Sequence, residues 1–89
     1  MIRKNVTIVN KLGLHARPSA LLVSTAARYE SECFFTRGDL RVNGKSIMGV
    51  MMLAAERGAE LVVEVDGPDE VAAMAAVLKV IASGFGEED

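Results

Sequence analysis

Histidine and cysteine each occur once in this chain, at His15 and Cys33, and tryptophan does not occur at all. A single thiol cannot close an internal disulfide, and a disulfide-free chain fits a reducing compartment. One imidazole and one thiol also fall short of an ordinary His/Cys metal site within a chain, so neither a metal nor a cofactor is expected. Aromatic residues make up only 4% of the sequence, and the Lys, Arg, Asp and Glu residues sum to a formal charge of -2. With no basic stripe interleaved with aromatics there is no field for holding nucleic acid, which is excluded as a partner. No apolar run approaches the ~18 residues needed to cross a bilayer. The start, from Met1 to Thr7, has no apolar segment behind Arg3 and Lys4 that would read as a secretory signal. A cytoplasmic protein without membrane insertion is expected.

What is present suits one folded domain over residues 1–89: 51% of the residues are hydrophobic and 25% charged, and the length is too short for two independent cores. Val6 and Ile8 alternate with polar Asn5 and Thr7 and predict a first strand. Leu22, Val23, Ala26 and Tyr29 recur at helical spacing and predict a helix from about Ala16 to Tyr29, with Pro18 tolerated in its first turn. Glu32 to Arg37 reads as a second strand with Cys33 and Phe35 inward, and Gly38 and Asp39 turn the chain into a short third strand, about Leu40 to Val42. Ser46 fits the N-cap of a short helix running to about Leu53. Glu60 to Asp66 alternates as a fourth strand, and Asp69 and Glu70 open a third helix whose buried stripe is Ala73, Met74, Val77 and Ile81. Gly84 stops that helix, and Glu87, Glu88 and Asp89 read as a solvated tail. The order βαββαβα, with strands too closely linked for parallel crossovers except across a helix, predicts an α+β fold with an antiparallel sheet and its helices on one face.

Around the lone histidine the sequence runs Lys11, Leu12, Gly13, Leu14, His15, Ala16, Arg17, Pro18. An isolated histidine is most often a surface or capping residue. Here an imidazole stands at a helix start with a guanidinium two residues on. Unpaired backbone N–H groups and the positive dipole end would face a phosphoryl group there, and Arg17 adds a forked donor that stays charged. Imidazole, with a reference pKa of about 6.5, is a nucleophile that is neutral at cytosolic pH and forms a labile N–P bond. Gly13 is explained by a turn that needs an unusual backbone angle. Leu12 and Leu14 are each as apt to be core as surface. In the second segment, Ile47, Met48 and Met51 are too many apolar groups for so short a helix to bury all of them, and part of this set is expected as an exposed patch.

The run at His15 resembles the active-site segment of HPr, the histidine-containing phosphocarrier of the bacterial phosphotransferase system, and of its nitrogen-branch paralogue NPr. Val42, Asn43, Gly44, Lys45, Ser46, Ile47, Met48, Gly49, Val50, Met51 resembles the regulatory-serine segment of HPr proteins that are substrates of HPr kinase/phosphorylase, and the spacing, length and element order match over essentially the whole chain. The resemblance implies an open-faced β-sandwich with strand order 1-4-2-3 and three helices on one face. It implies phosphorylation of His15 on Nδ1, with Ala16 and Arg17 backbone N–H groups holding phosphoryl oxygens and the Arg17 side chain assisting transfer. It also implies Ser46 as a regulatory phosphorylation site, and Ile47, Met48 and Met51 as a patch that docks Enzyme I and IIA domains. The expected protein is a monomeric, stoichiometric carrier and not an enzyme.

Other readings are weaker. The ending Ser83, Gly84, Phe85 resembles the NPr branch, which leaves an NPr-like regulatory carrier as the nearest alternative. A binding-only regulator could dispense with His15, and a hydrolase would need a second catalytic group that no motif supplies. Gly44, Lys45, Ser46 looks like the end of a P-loop, but Gly38 lies one residue too far upstream. Arg37, Gly38, Asp39 reads as a hairpin turn and not an adhesion tripeptide, and Arg57, Gly58 as a helix exit.

Overall fold

The computed structural model describes residues 1–87. Strand β1 (Ile2–Thr7) is followed by helix α1 (Ala16–Ala27), strands β2 (Glu32–Arg37) and β3 (Leu40–Asn43), helix α2 (Ile47–Met52), strand β4 (Glu60–Asp66) and helix α3 (Glu70–Ala82). A single 3₁₀ turn, Gly84–Gly86, follows α3. The sheet is antiparallel throughout, in the order β1-β4-β2-β3. The helices cover one face, and the fold is an α+β open-faced sandwich.

Side-chain alternation decides which face is covered. Leu61, Val63 and Val65 of β4 and Cys33 and Phe35 of β2 point into the core, each at most 3% exposed, while Glu64, Val62, Phe34 and Thr36 take the open face. Leu22, Val23 and Ala26 of α1 and Ala73, Met74, Val77 and Ile81 of α3 close over the buried face. Each such large aliphatic group contributes about 1.5–3 kcal/mol on burial, more than any single cap or dipole term, so this stripe sets the layer arrangement. The edges of the sheet are β1, which carries Arg3 and Lys4, and the four-residue β3, both poor templates for further pairing.

The ends of several elements differ from the periodicity. Helix α1 stops at Ala27, because the N–H groups of Arg28 and Tyr29 bond back to Thr25 and Ala26 in a tighter turn, and Tyr29 is only half-buried. Strand β3 gains Asn43, paired with Phe34. Ile8 lies beyond β1 yet is 1% exposed, with its N–H on the Ala59 carbonyl at 2.9 Å.

The largest correction concerns the C-terminal segment, where Glu87 is partly buried against the fold and does not extend into solvent as a tail. Gly84 does end α3, at φ +66, but Phe85 then takes φ +60 and buries its ring to 7% exposure, turning the chain back towards α1. A buried aromatic outweighs the cost of one left-handed residue. Glu88 and Asp89 lie outside the described residues.

Candidate functional site

The loop between β1 and α1 is pinned before it reaches His15. Gly13 sits at φ +67, and a Cβ there would collide with the Ala55 carbonyl and lie 2.7 Å from Glu56 Cα, so both angle and space demand glycine. Leu14 donates its N–H to the Ala55 carbonyl at 2.7 Å, and the Ser19 hydroxyl donates to the Leu14 carbonyl at 3.2 Å. Asn10, 2% exposed, donates from Nδ2 to the Gly13 carbonyl at 2.8 Å. The open question about the two leucines resolves one each way: Leu14 is core at 5% exposure and Leu12 is surface at 70%.

His15 is the N-cap of α1, extended at φ -79 and ψ -172, and its side chain makes no cap bond. Its carbonyl accepts the Ser19 N–H at 3.0 Å, while Pro18 has no N–H to offer. The N–H groups of Ala16 and Arg17 are therefore left at the positive end of the helix, next to the ring. Ala16 and Arg17 are exposed, and no hydrogen bond or ion pair holds the Arg17 guanidinium among the described residues.

The ring itself is not free. Its Nε2 lies 2.9 Å from Glu87 Oε2, and the other carboxylate oxygen accepts from Asn10 Nδ2 at 2.8 Å. The side chains of His15 and Glu87 are 39% and 19% exposed. Asn10 thus bridges the histidine loop and the C-terminal segment with its two amide hydrogens, while its Oδ1 has no partner among the described residues. An unpaired buried oxygen costs about 1–3 kcal/mol, which weighs against this amide serving as filler. The sequence pattern did not single out Glu87 or Asn10. An acidic group after the last helix and a polar residue in a loop are common, and their meeting depends on the Phe85 turn.

Ser46 caps α2 as its sequence implies, with Oγ accepting the Gly49 N–H at 3.1 Å. Beyond it Ile47, Met48, Met51 and Met52 are 45%, 76%, 42% and 64% exposed, and only Val50 of this helix is buried. Core packing therefore claims none of the three expected patch residues. Arg37 closes the other end of α2, its guanidinium donating to the carbonyls of Leu53 at 3.0 Å and Ala54 at 2.8 Å. Helices α1 and α2 pack together, and the Ala55 contact sets the exit of α2 beside the histidine loop. Among the described residues there is no cluster of His, Cys, Asp and Glu that could hold a metal ion, and no helix is long and apolar enough to cross a membrane.

Comparison with known proteins agrees with the geometry. The family described as "PTS HPr component phosphorylation site" matches residues 2–83, stopping short of Phe85 and Glu87. The chain is similar to the phosphocarrier protein HPr of Treponema pallidum, 49% identical over 88 residues that cover 99% of this chain and 100% of the relative. It superimposes on the crystal structure of HPr-C-His from Thermoanaerobacter tengcongensis with a TM-score of 0.96, at 42% identity and full coverage of both chains. A structure of an HPr dimer from the same organism matches at a TM-score of 0.79, with 41% identity over 98% of this chain and all of the other.

Proposed function

The chain belongs to the HPr family of phosphocarriers of the phosphotransferase system, and from that premise we propose that His15 accepts a phosphoryl group from phosphorylated Enzyme I on Nδ1 and passes it to IIA domains. The protein is a stoichiometric phosphocarrier and not an enzyme. The observation that carries the site assignment is His15 at the N-cap of α1 beside the uncapped N–H groups of Ala16 and Arg17. Those two groups bind phosphoryl oxygens, and the Arg17 side chain neutralises charge as the group moves, since phosphoryl transfer needs positioning and positive charge more than covalent help. The ring is two-fifths exposed, which suits a group that must be reached by one protein and surrendered to another.

Ile47, Met48 and Met51 form the docking patch for these partners, and HPr kinase/phosphorylase acts on Ser46. A phosphate there sits at the start of α2, tolerated by the helix, and sets a charge of about -1.5 to -2 against any acidic partner surface. The chain works in the cytoplasm as a single monomeric domain; the charged edge β1 and short edge β3 support the monomer.

The test is labelling from phosphoenolpyruvate and Enzyme I, followed by a panel of IIA domains. Label on the wild type should be acid-labile and base-stable, absent from His15→Ala, and discharged onto an acceptor. Equal acid-labile labelling of His15→Ala would overturn the carrier site. Discharge onto a nitrogen-branch acceptor alone would place the chain with the NPr-like carriers.

A further inference from the structure

We propose that Glu87 is a positioning residue for the phosphoryl acceptor: its carboxylate takes the Nε2–H of His15, which fixes the ring tautomer and leaves the Nδ1 lone pair free to attack. This role rests on the carrier reading above and adds a residue that lies beyond the span matched by the family. A neutral imidazole carries one proton on one of two nitrogens, and an ionised carboxylate can only accept. The 2.9 Å contact between Nε2 and Glu87 Oε2 therefore places that proton on Nε2.

The carboxylate is itself held. Asn10 Nδ2 binds its other oxygen at 2.8 Å and the Gly13 carbonyl at 2.8 Å, so turning the amide over would set Oδ1 against two acceptors. Phe85, buried after its left-handed turn, brings the segment into place through the core and not through the charge pair alone.

The chemistry follows from the proton's position. When Nδ1 attacks phosphorus, the new N–P bond forms as the donor's bond to phosphorus breaks and the donor keeps that electron pair. The ring keeps its Nε2–H, becomes formally cationic, and Glu87 supplies the counter-charge. On delivery the N–P bond breaks, its electron pair returns to Nδ1, and a neutral imidazole departs where an imidazolate would otherwise have to leave. No proton need enter or leave in either step. A carboxylate fixed in this way orients the ring as acidic partners orient metal-binding histidines.

The experiment pairs ring ¹⁵N spectra, recorded on the neutral imidazole, with the rate of phosphoryl transfer from Enzyme I. It compares the full chain with Glu87→Gln and Glu87→Ala, and thermal unfolding confirms that each is folded. Wild-type spectra should show Nε2 protonated and Nδ1 bare. Glu87→Ala should show mixed tautomers and transfer slowed by about tenfold or more, the loss expected for one charge-assisted contact. Glu87→Gln, which keeps an acceptor oxygen but not the charge, should keep the wild-type tautomer and recover part of the rate. A wild type protonated mainly on Nδ1, or a Glu87→Ala protein with unchanged spectra and rate, would overturn the role of Glu87. A wild type that takes no label on His15 overturns the carrier reading and, with it, this role.

Discussion

Arg17 and Cys33 show how differently a charged and a nucleophilic side chain can be placed in one small fold. Cys33 is 3% exposed, and burial pushes its thiol up to about 11 against a smaller opposing pull from Lys45, so it is packing and not chemistry. Arg17 stands in solvent beside the histidine with no partner among the described residues, so folding does not depend on it. Arg17→Ala should leave the unfolding free energy within about 0.5 kcal/mol of wild type. The loss of a charge-assisted contact to the moving phosphoryl group should instead cost about 1.5–3 kcal/mol, near tenfold to hundredfold in transfer rate. Lysine at this position should restore part of that, having the charge without the fork. Transfer at the wild-type rate in Arg17→Ala would remove this side chain from the mechanism.

Helix α2 is built to stay small and show its apolar side. Six residues cannot sustain a helix by backbone bonds alone. Three features hold it: the Ser46 cap, the buried Val50, and the guanidinium of Arg37 on the Leu53 and Ala54 carbonyls just past its end. The rest of its apolar surface, Ile47, Met48, Met51 and Met52, is exposed. Ser46→Ala should cost about 1 kcal/mol in unfolding free energy by removing the cap, whereas Ser46→Asp keeps the cap and should be near neutral. Ser46→Asp should nevertheless slow phosphate acceptance from Enzyme I by weakening binding, with the deficit shrinking as salt rises and screens the added charge. Wild-type acceptance by Ser46→Asp at low salt would reduce Ser46 to a cap.

At the scale of the whole molecule, one carboxylate joins layers that are far apart in sequence. Asp69, at the start of α3, accepts the Ser31 hydroxyl at 2.5 Å, the Ser31 N–H at 2.9 Å and the Glu30 N–H at 2.9 Å, tying the entry of β2 to the third helix. The Ser31 hydroxyl, followed by the Glu30 N–H, holds this carboxyl below the usual aspartate range. A carboxyl whose pKa is lower folded than unfolded stabilises the fold above the unfolded value, about 3.9, and loses that contribution as pH falls through the folded value. Urea unfolding between about pH 7 and pH 2.5 should therefore show stability declining below about pH 4 in the wild type. Asp69→Asn should be less stable at neutral pH and flatter on the acid side. Parallel acid profiles would show that the Ser31 contacts add nothing to stability.

Much of this architecture is local and was therefore legible in the residues. Alternation in Glu60–Asp66, the stripe Ala73, Met74, Val77 and Ile81, and the cap at Ser46 depend on neighbours two to four positions away, and the structure places all of them as the pattern implies. The chemistry offered by His15 and Arg17 was legible for the same reason, since a helix start with an imidazole and a guanidinium is written in consecutive residues. Strand order was not legible from periodicity, because it is fixed by which apolar faces meet, and the family resemblance supplied it. The partner of His15 was hidden altogether: Glu87 lies 72 positions away, and reaches the ring only because Phe85 prefers the core to water at the expense of a left-handed turn. Short-range pattern determined the elements and put an imidazole at a helix start, while the burial of one aromatic after α3 decided which carboxylate that imidazole meets.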